Sequence, residues 1–171
     1  LLHKVDNYKG SYETRMALKF LSYTFVRSRP LREAEWTEID GDIWRVPGHK
    51  EKTKRDLLVP LSTQCQELLK EIKEINGDKK YIFNSNYRDG FLGESSLGRI
   101  LTRMGYGGKH SVHGYRHMAS TCLNELEYDG DAIELQLSHA PVGVRGVYNK
   151  AKKLNYRTKM MQDWADWLDG L

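Results

Sequence analysis

Residues His113 to Tyr148 read HGYRHMASTCLNELEYDGDAIELQLSHAPVGVRGVY, and the residue types in this stretch set what the rest of the chain must supply. His113 and Arg116 lie three apart, so on a helix their side chains leave the same face. Ala119, Cys122, Leu123 and Leu126 continue that helix as its buried side. A second short helix, Asp131 to Ser138, then delivers His139, and Pro141-Val142-Gly143 turns the chain into the segment carrying Tyr148. His113, Arg116 and His117 gather at a helix start, where the dipole is positive, and such a gathering is relieved by a bound anion. The stretch reads as a phosphate-cutting centre.

The surroundings agree with an anionic partner. The net charge is only +4, but Ser95 to Asn124 contains no acidic residue while carrying Arg99, Arg103, Lys109, Arg116 and three histidines. Pro141 to Met161 also lacks Asp and Glu and carries Arg145, Lys150, Lys152, Lys153, Arg157 and Lys159. Both segments overlap the opening stretch, so a polyanion surface is expected there. The 171 residues suit a single domain spanning 1–171, large enough for a core without disulfides or structural metal. No apolar run approaches the roughly 18 to 20 residues that span a membrane, and no secretory signal is visible. Cys65 and Cys122 fall among apolar helical positions, so reduced buried thiols and a cytoplasmic protein are expected.

Upstream, Ser11 caps a helix with Glu13 in its first turn and Met16, Leu18, Phe20, Leu21 and Phe25 as apolar content, ending at Arg27. Pro30 starts a short helix, Leu31 to Trp36. Ile39 to Val59 reads as a small antiparallel sheet, with a turn at Asp40-Gly41 and a cationic loop, HKEKTKRD, between Ile43–Val46 and Leu57–Val59. Ser62 caps an amphipathic helix with Cys65, Leu68, Leu69, Ile72 and Ile75 as its buried stripe. Tyr81–Phe83 is a brief extended segment, and a helix capped by Ser95 or Ser96 runs to Gly105. Asn155 caps a last helix with Met160, Met161, Trp164, Trp167 and Leu168 on its apolar side. The expected class is α+β, mainly helical, with a small antiparallel β-sheet on one edge.

Several chemistries fail on residue type. His113 and His117 sit at i and i+4 with His139 elsewhere, but the zinc-protease helix needs a Glu after its first His, where this chain has Gly114, and Arg116 would stand among the ligands. GYGGKHS is not a P-loop, because the motif's first Gly falls on Arg103 and His110 replaces the hydroxyl residue. No GxSxG is present, and both cysteines fall in helix cores. What remains suits phosphoryl transfer without metal: arginines clamp the non-bridging oxygens, and a Tyr in a positive pocket is favoured as phenolate.

These residues resemble the catalytic domain of the tyrosine recombinases, the lambda-type phage integrases, and among them integrases of satellite prophages and genomic islands. The resemblance runs from about residue 6 to 169. TFVR ends in Arg27, the position of the family's first arginine, and LREAEWTEID follows as in relatives. EKTKRDLLVPLS matches the family's β-hairpin and puts its lysine at Lys52, with Lys50 and Lys54 as alternatives. HGYR supplies His113 and Arg116, LSHA supplies His139, and VRGVYNKA supplies Tyr148. The position three after Arg27, acidic in many relatives, is Pro30 here.

The resemblance implies the tyrosine-recombinase catalytic fold, Tyr148 as nucleophile, Arg27 and Arg116 on the phosphorane, His139 as hydrogen-bonding partner, His113 as acid/base and Lys52 as general acid. No cofactor and no metal are implied. Partners would be double-stranded DNA at attachment sites, a homotetramer of the full-length protein on that DNA, and host DNA-bending factors. The fragment alone would be monomeric, without its N-terminal DNA-binding domains, and the protein cytoplasmic and nucleoid-associated in a bacterium. A type IB topoisomerase, which shares the chemistry, and an inactive DNA-binding module are the alternatives.

Overall fold

A computed structural model describes residues 2–86, 89–139 and 145–171, except the side chains of residues 2 and 145–152. After a short helix, α1 (Leu2–Asp6), the core is organised around α2 (Tyr12–Thr24), whose Ser11 hydroxyl accepts the Thr14 N–H. This helix stops before Arg27, earlier than expected, because Phe25 takes a left-handed conformation (φ 38°, ψ 35°). That conformation costs a non-glycine residue roughly 1–2 kcal/mol. Packing offsets it: Phe25 is fully buried and meets Trp164 edge-on at 6.0 Å.

Arg27 therefore lies in extended backbone as the N-cap of α3 (Ser28–Arg32). The expected helix Leu31 to Trp36 starts three residues early, and Trp36–Glu38 forms a separate 3₁₀ turn. Pro30 sits in the first turn of α3, where its missing N–H has no helical acceptor to lose. Strands β1 (Ile39–Asp40), β2 (Ile43–Val46) and β3 (Leu57–Pro60) then form one antiparallel sheet in the order β1-β2-β3. Ile39 pairs with Trp44, and Trp44 with Val59, which buries Trp44 and Val59 on the core face. Gly41, at φ +59°, makes the first turn.

Ser62 caps α4 (Thr63–Asn76), and Cys65, Leu68, Leu69 and Ile72 are buried as the periodicity predicts. Ile75 is not; it is 58% exposed, because the inward position of the last turn belongs to Asn76. There the Asn76 side-chain amide donates to the Ile82 carbonyl, and the Asn76 backbone carbonyl accepts from the Trp36 indole. Tyr81 is held extended against Glu35, and Ile82 and Phe83 are fully buried. Helix α5 (Ser96–Leu101) runs into a wide turn, Thr102–Tyr106, that ends the helix at Gly105 (φ +85°).

Next come α6 (Gly114–Glu125), with His113 at its N-cap, and α7 (Gly130–Gln136), capped by Asp129. On α6, Cys122 is half-buried and Leu126, just past the helix, is 47% exposed, so the apolar side is narrower than expected. The last helix, α8, runs unbroken from Arg145 to Asp169, so Asn155 is an interior residue and not a cap. Its side chain is exposed, where Asn costs a helix only a few tenths of a kcal/mol. Met160, Met161, Trp164 and Leu168 bury against the domain itself, and the Trp164 indole donates to the Ser22 carbonyl at 2.9 Å. Among the described residues no helix is long and apolar enough to cross a membrane.

Candidate active site

Arg116 enters the site from the first turn of α6 and is 4% exposed. Its Nη1 donates to the Phe25 carbonyl at 2.8 Å and its Nη2 to the Leu137 carbonyl at 2.5 Å. The left-handed Phe25 and the end of α7 thus supply two backbone acceptors that fix the guanidinium plane. A guanidinium has five N–H donors, so others remain for an anion. Burial, and then the neighbouring Arg27, push its pKa down to about 10.

His113 stands at the start of the same helix, its ring edge-on to His117 at 4.8 Å. Burial first, then the cationic influence of His117, Arg116, Arg27 and His139, hold its imidazole below the ordinary histidine value. Arg27, Arg116 and His139 thus lie within electrostatic reach of His113, and Arg27 within reach of Arg116. His139 follows Ser138, whose left-handed backbone (φ 55°) turns the chain out of α7. Its Nδ1 lies 2.8 Å from Glu134 Oε2, and its side chain is 52% exposed. A carboxylate only accepts, so Nδ1 carries a proton and Nε2 is left for another partner.

The lowered His113 value has a directional consequence. The unfolded chain binds a proton on this residue more readily than the folded one below the ordinary value of about 6.5. The stabilisation tied to neutral His113 is therefore present above that pH and is lost as pH falls toward the lower folded value. His113→Gln should flatten the decline in urea midpoint between pH 7.5 and 5; an unchanged decline would contradict the assignment.

The β2–β3 connection separates the three candidate lysines. Lys50 is 4% exposed, and its ammonium donates to the Glu33 carbonyl, Glu35 and Glu38. Glu38 also accepts from the Trp44 indole at 3.0 Å. Lys50 is thus spent inside the fold. Lys52 and Lys54 are exposed, and Lys54 adopts φ 56° at the end of the turn. Lys50→Ala, which strands buried Glu38, is expected to cost about 3–5 kcal/mol of stability in urea unfolding. Lys52→Ala should leave the unfolding midpoint where it is. Equal midpoints for both variants would refute the division.

The residues flanking Lys52 are tied across the site. Glu51 Oε2 receives Arg27 Nη1 at 2.5 Å, and the Thr53 and Ser138 hydroxyls share a hydrogen bond at 3.2 Å. The sequence reading missed Glu51, Thr53, Glu134 and Ser138. Its one available signal was an acidic residue inside a cationic loop. Three charges of the basic run 141–161 are already engaged within the domain. Arg157 is 5% exposed and donates to Gln136 and to the Leu58 carbonyl, while Lys153 pairs with Asp129 and Asp131, and Lys159 with Asp163. These are ties within the domain. Lys150, Lys152 and the Tyr148 side chain lie outside the described side chains; the Tyr148 backbone falls in the opening turns of α8. Among the described residues no group of three or more His, Cys, Asp and Glu could hold a metal ion.

Comparison with known proteins bears on this constellation. The model of the family described as "Phage integrase family" matches residues 1–154. The integrase of Shigella phage Sf6 and the prophage integrase IntS of Escherichia coli K12 are each 38% identical over 167 residues, covering 95% of this chain and 43% of the relative. The integrase of Enterobacteria phage P4 is 39% identical, over 98% of this chain and 43% of the relative. The chain thus spans less than half the length of these relatives. Among solved structures, the lambda integrase catalytic core aligns with a TM-score of 0.64 at 21% identity, over 81% of this chain and 91% of that one. XerA recombinase aligns with a TM-score of 0.66 at 21% identity, over 92% of this chain and 59% of that one. A lambda integrase tetramer bound to a Holliday junction gives 0.65 at 20% identity, over 81% and 45%. At these identities the structures establish the fold, that of the tyrosine-recombinase catalytic domain. With the family model spanning all but the last turns of α8, the chain belongs to the phage integrase family.

Proposed function

We propose that this chain is the catalytic part of a site-specific DNA recombinase, of the prophage and genomic-island integrase type, that cuts and rejoins DNA through a 3′-phosphotyrosine. The observation that carries the reading is that Arg116, one turn from His113 on the same helix, binds the carbonyls of Phe25 and Leu137, each two residues before Arg27 and His139, while Arg27 pairs with Glu51 in the loop that bears Lys52. In the proposed step the Tyr148 oxygen attacks the scissile phosphorus and its proton passes to His113. The bond from phosphorus to the 5′ oxygen breaks, and that oxygen leaves as a hydroxyl with a proton from Lys52. Arg27 and Arg116 hold the charge that builds on the non-bridging oxygens, and His139, when protonated on both ring nitrogens, adds a hydrogen bond from Nε2. The ester keeps the energy of the broken bond, so a 5′-hydroxyl from a partner duplex reverses the step.

The DNA partner, its attachment sites, a tetramer of the full-length protein and host bending factors belong to the same proposal. The test is covalent trapping of the full-length protein on nicked attachment-site DNA, alongside joining of paired sites. A Tyr148-dependent adduct with paired-site joining is expected. Plasmid relaxation without joining, or DNA binding without any adduct, would sink the recombinase reading.

A further inference from the structure

Resting on that reading, we infer that Glu51 is the positioning residue for Arg27, holding its guanidinium in place before DNA arrives. Arg27 lies on the extended link between α2 and α3, where no helix neighbour orients it, and its side chain is 19% exposed. An unrestrained arginine carries about 2 kcal/mol of rotamer entropy that any phosphate contact must overcome. Glu51 removes that freedom. Its side chain has no exposure, and its Oε2 stands 2.5 Å from Arg27 Nη1. Its Oε1 is buried and finds no hydrogen-bond partner among the described residues.

A buried carboxylate is costly to desolvate, and an apolar side chain would fill the same space at lower cost. The ion-pair partner of Glu51 is Arg27, with Arg116 also within electrostatic reach. Pro30, one turn along α3, offers no carboxylate, so the acid comes instead from the hairpin loop. That loop is itself docked: Lys54 N–H closes its turn on the Glu51 carbonyl at 3.2 Å, and Thr53 reaches Ser138. One guanidinium nitrogen on Glu51 leaves the other N–H groups for phosphate. Glu51 therefore acts through Arg27 and need not touch DNA.

The experiment is single-turnover cleavage of nicked attachment-site DNA at saturating concentration by full-length protein. Glu51→Gln is placed in the wild-type and in the Arg27→Ala backgrounds. Loss of positioning should slow cleavage by about tenfold or more in the wild-type background, since small misplacements of a clamp are costly, with DNA affinity changed less than about twofold. In the Arg27→Ala background the same change should do almost nothing. Glu51→Asp, which keeps the carboxylate, should recover part of the rate. A substrate with sulfur at the bridging 5′ position needs little help from a general acid, so it should relieve Lys52→Ala and leave Glu51→Gln slow.

Equal losses in both backgrounds, or a rate unchanged or raised by Glu51→Gln, would overturn the inference. An arm independent of activity uses the Arg27 Nε–H resonance, assigned by its loss in Arg27→Lys. It should be rigid in the wild type and mobile in Glu51→Gln; equal mobility in the two would also overturn the pairing. If the wild type forms no adduct, the recombinase reading falls while this resonance still decides the role of Glu51.

Discussion

Replacing Tyr148 with Phe is expected to remove the covalent protein–DNA adduct entirely while leaving DNA affinity at its wild-type level. An ordinary tyrosine phenol has a pKa of about 10, so at neutral pH such a group attacks only if a neighbour takes its proton. His113 suits that task, because partial burial and the charges around it, Arg116 and Arg27 among them, lower its pKa below the ordinary histidine value and favour the neutral, proton-accepting form. Removing the hydroxyl leaves nothing for the base to activate. Tyr115, beside Arg116 in the sequence, is no substitute: it is 1% exposed, and burial pushes its phenol pKa up. Under the proposed function the grip on DNA would come from arginines, lysines and backbone groups, so one lost neutral hydroxyl should change affinity by no more than about 1 kcal/mol. Adducts are counted on denaturing gels and affinity by anisotropy. An adduct in the Phe variant would move the nucleophile elsewhere, and a collapse of binding would give Tyr148 a packing role.

How much of this was legible in the sequence depends on how local the cause was. Ser11, Ser62 and the 3–4 spacing of Cys65, Leu68, Leu69 and Ile72 act within one helix, and the helices they predict are there. Asp40-Gly41 foretold the hairpin for the same reason. The early stop of α2 was not legible, because Phe25 is held left-handed by Trp164, far along the chain. Nor was the burial of Arg157 or Lys50. A charge looks the same in the sequence whether it faces solvent or an internal Gln136 or Glu38. The gathering of Arg27 with Arg116 followed from the family resemblance, but Glu51 did not, because its role depends on a loop crossing the site. Local periodicity gave the elements; tertiary contact decided which cations are engaged inside the domain.

Arg116→Ala is the second large effect, and it should appear in two measurements at once. Single-turnover cleavage should fall by at least about 10²-fold, the usual scale for losing a donor to a charged transition state. Stability should fall as well, because the Phe25 and Leu137 carbonyls lose their partner in the interior. Each stranded buried acceptor costs about 1–3 kcal/mol. Arg116→Lys separates the two roles. An ammonium keeps the charge but is a point donor that cannot span carbonyls on two elements and still present a flat edge to phosphate. It should recover part of the urea midpoint and little of the rate. Arg27→Ala offers the contrast, since among the described residues Arg27 hydrogen-bonds the Glu51 side chain and no backbone carbonyl. If Arg116→Lys cleaved at the wild-type rate, charge alone would suffice and the two-carbonyl anchoring would have no part in catalysis. If Arg116→Ala left the midpoint unchanged, the anchoring itself would be wrong. The expected pattern, rate lost in both variants and stability lost mainly in one, is what a guanidinium fixed from behind by two backbone oxygens and open in front to a phosphate should produce.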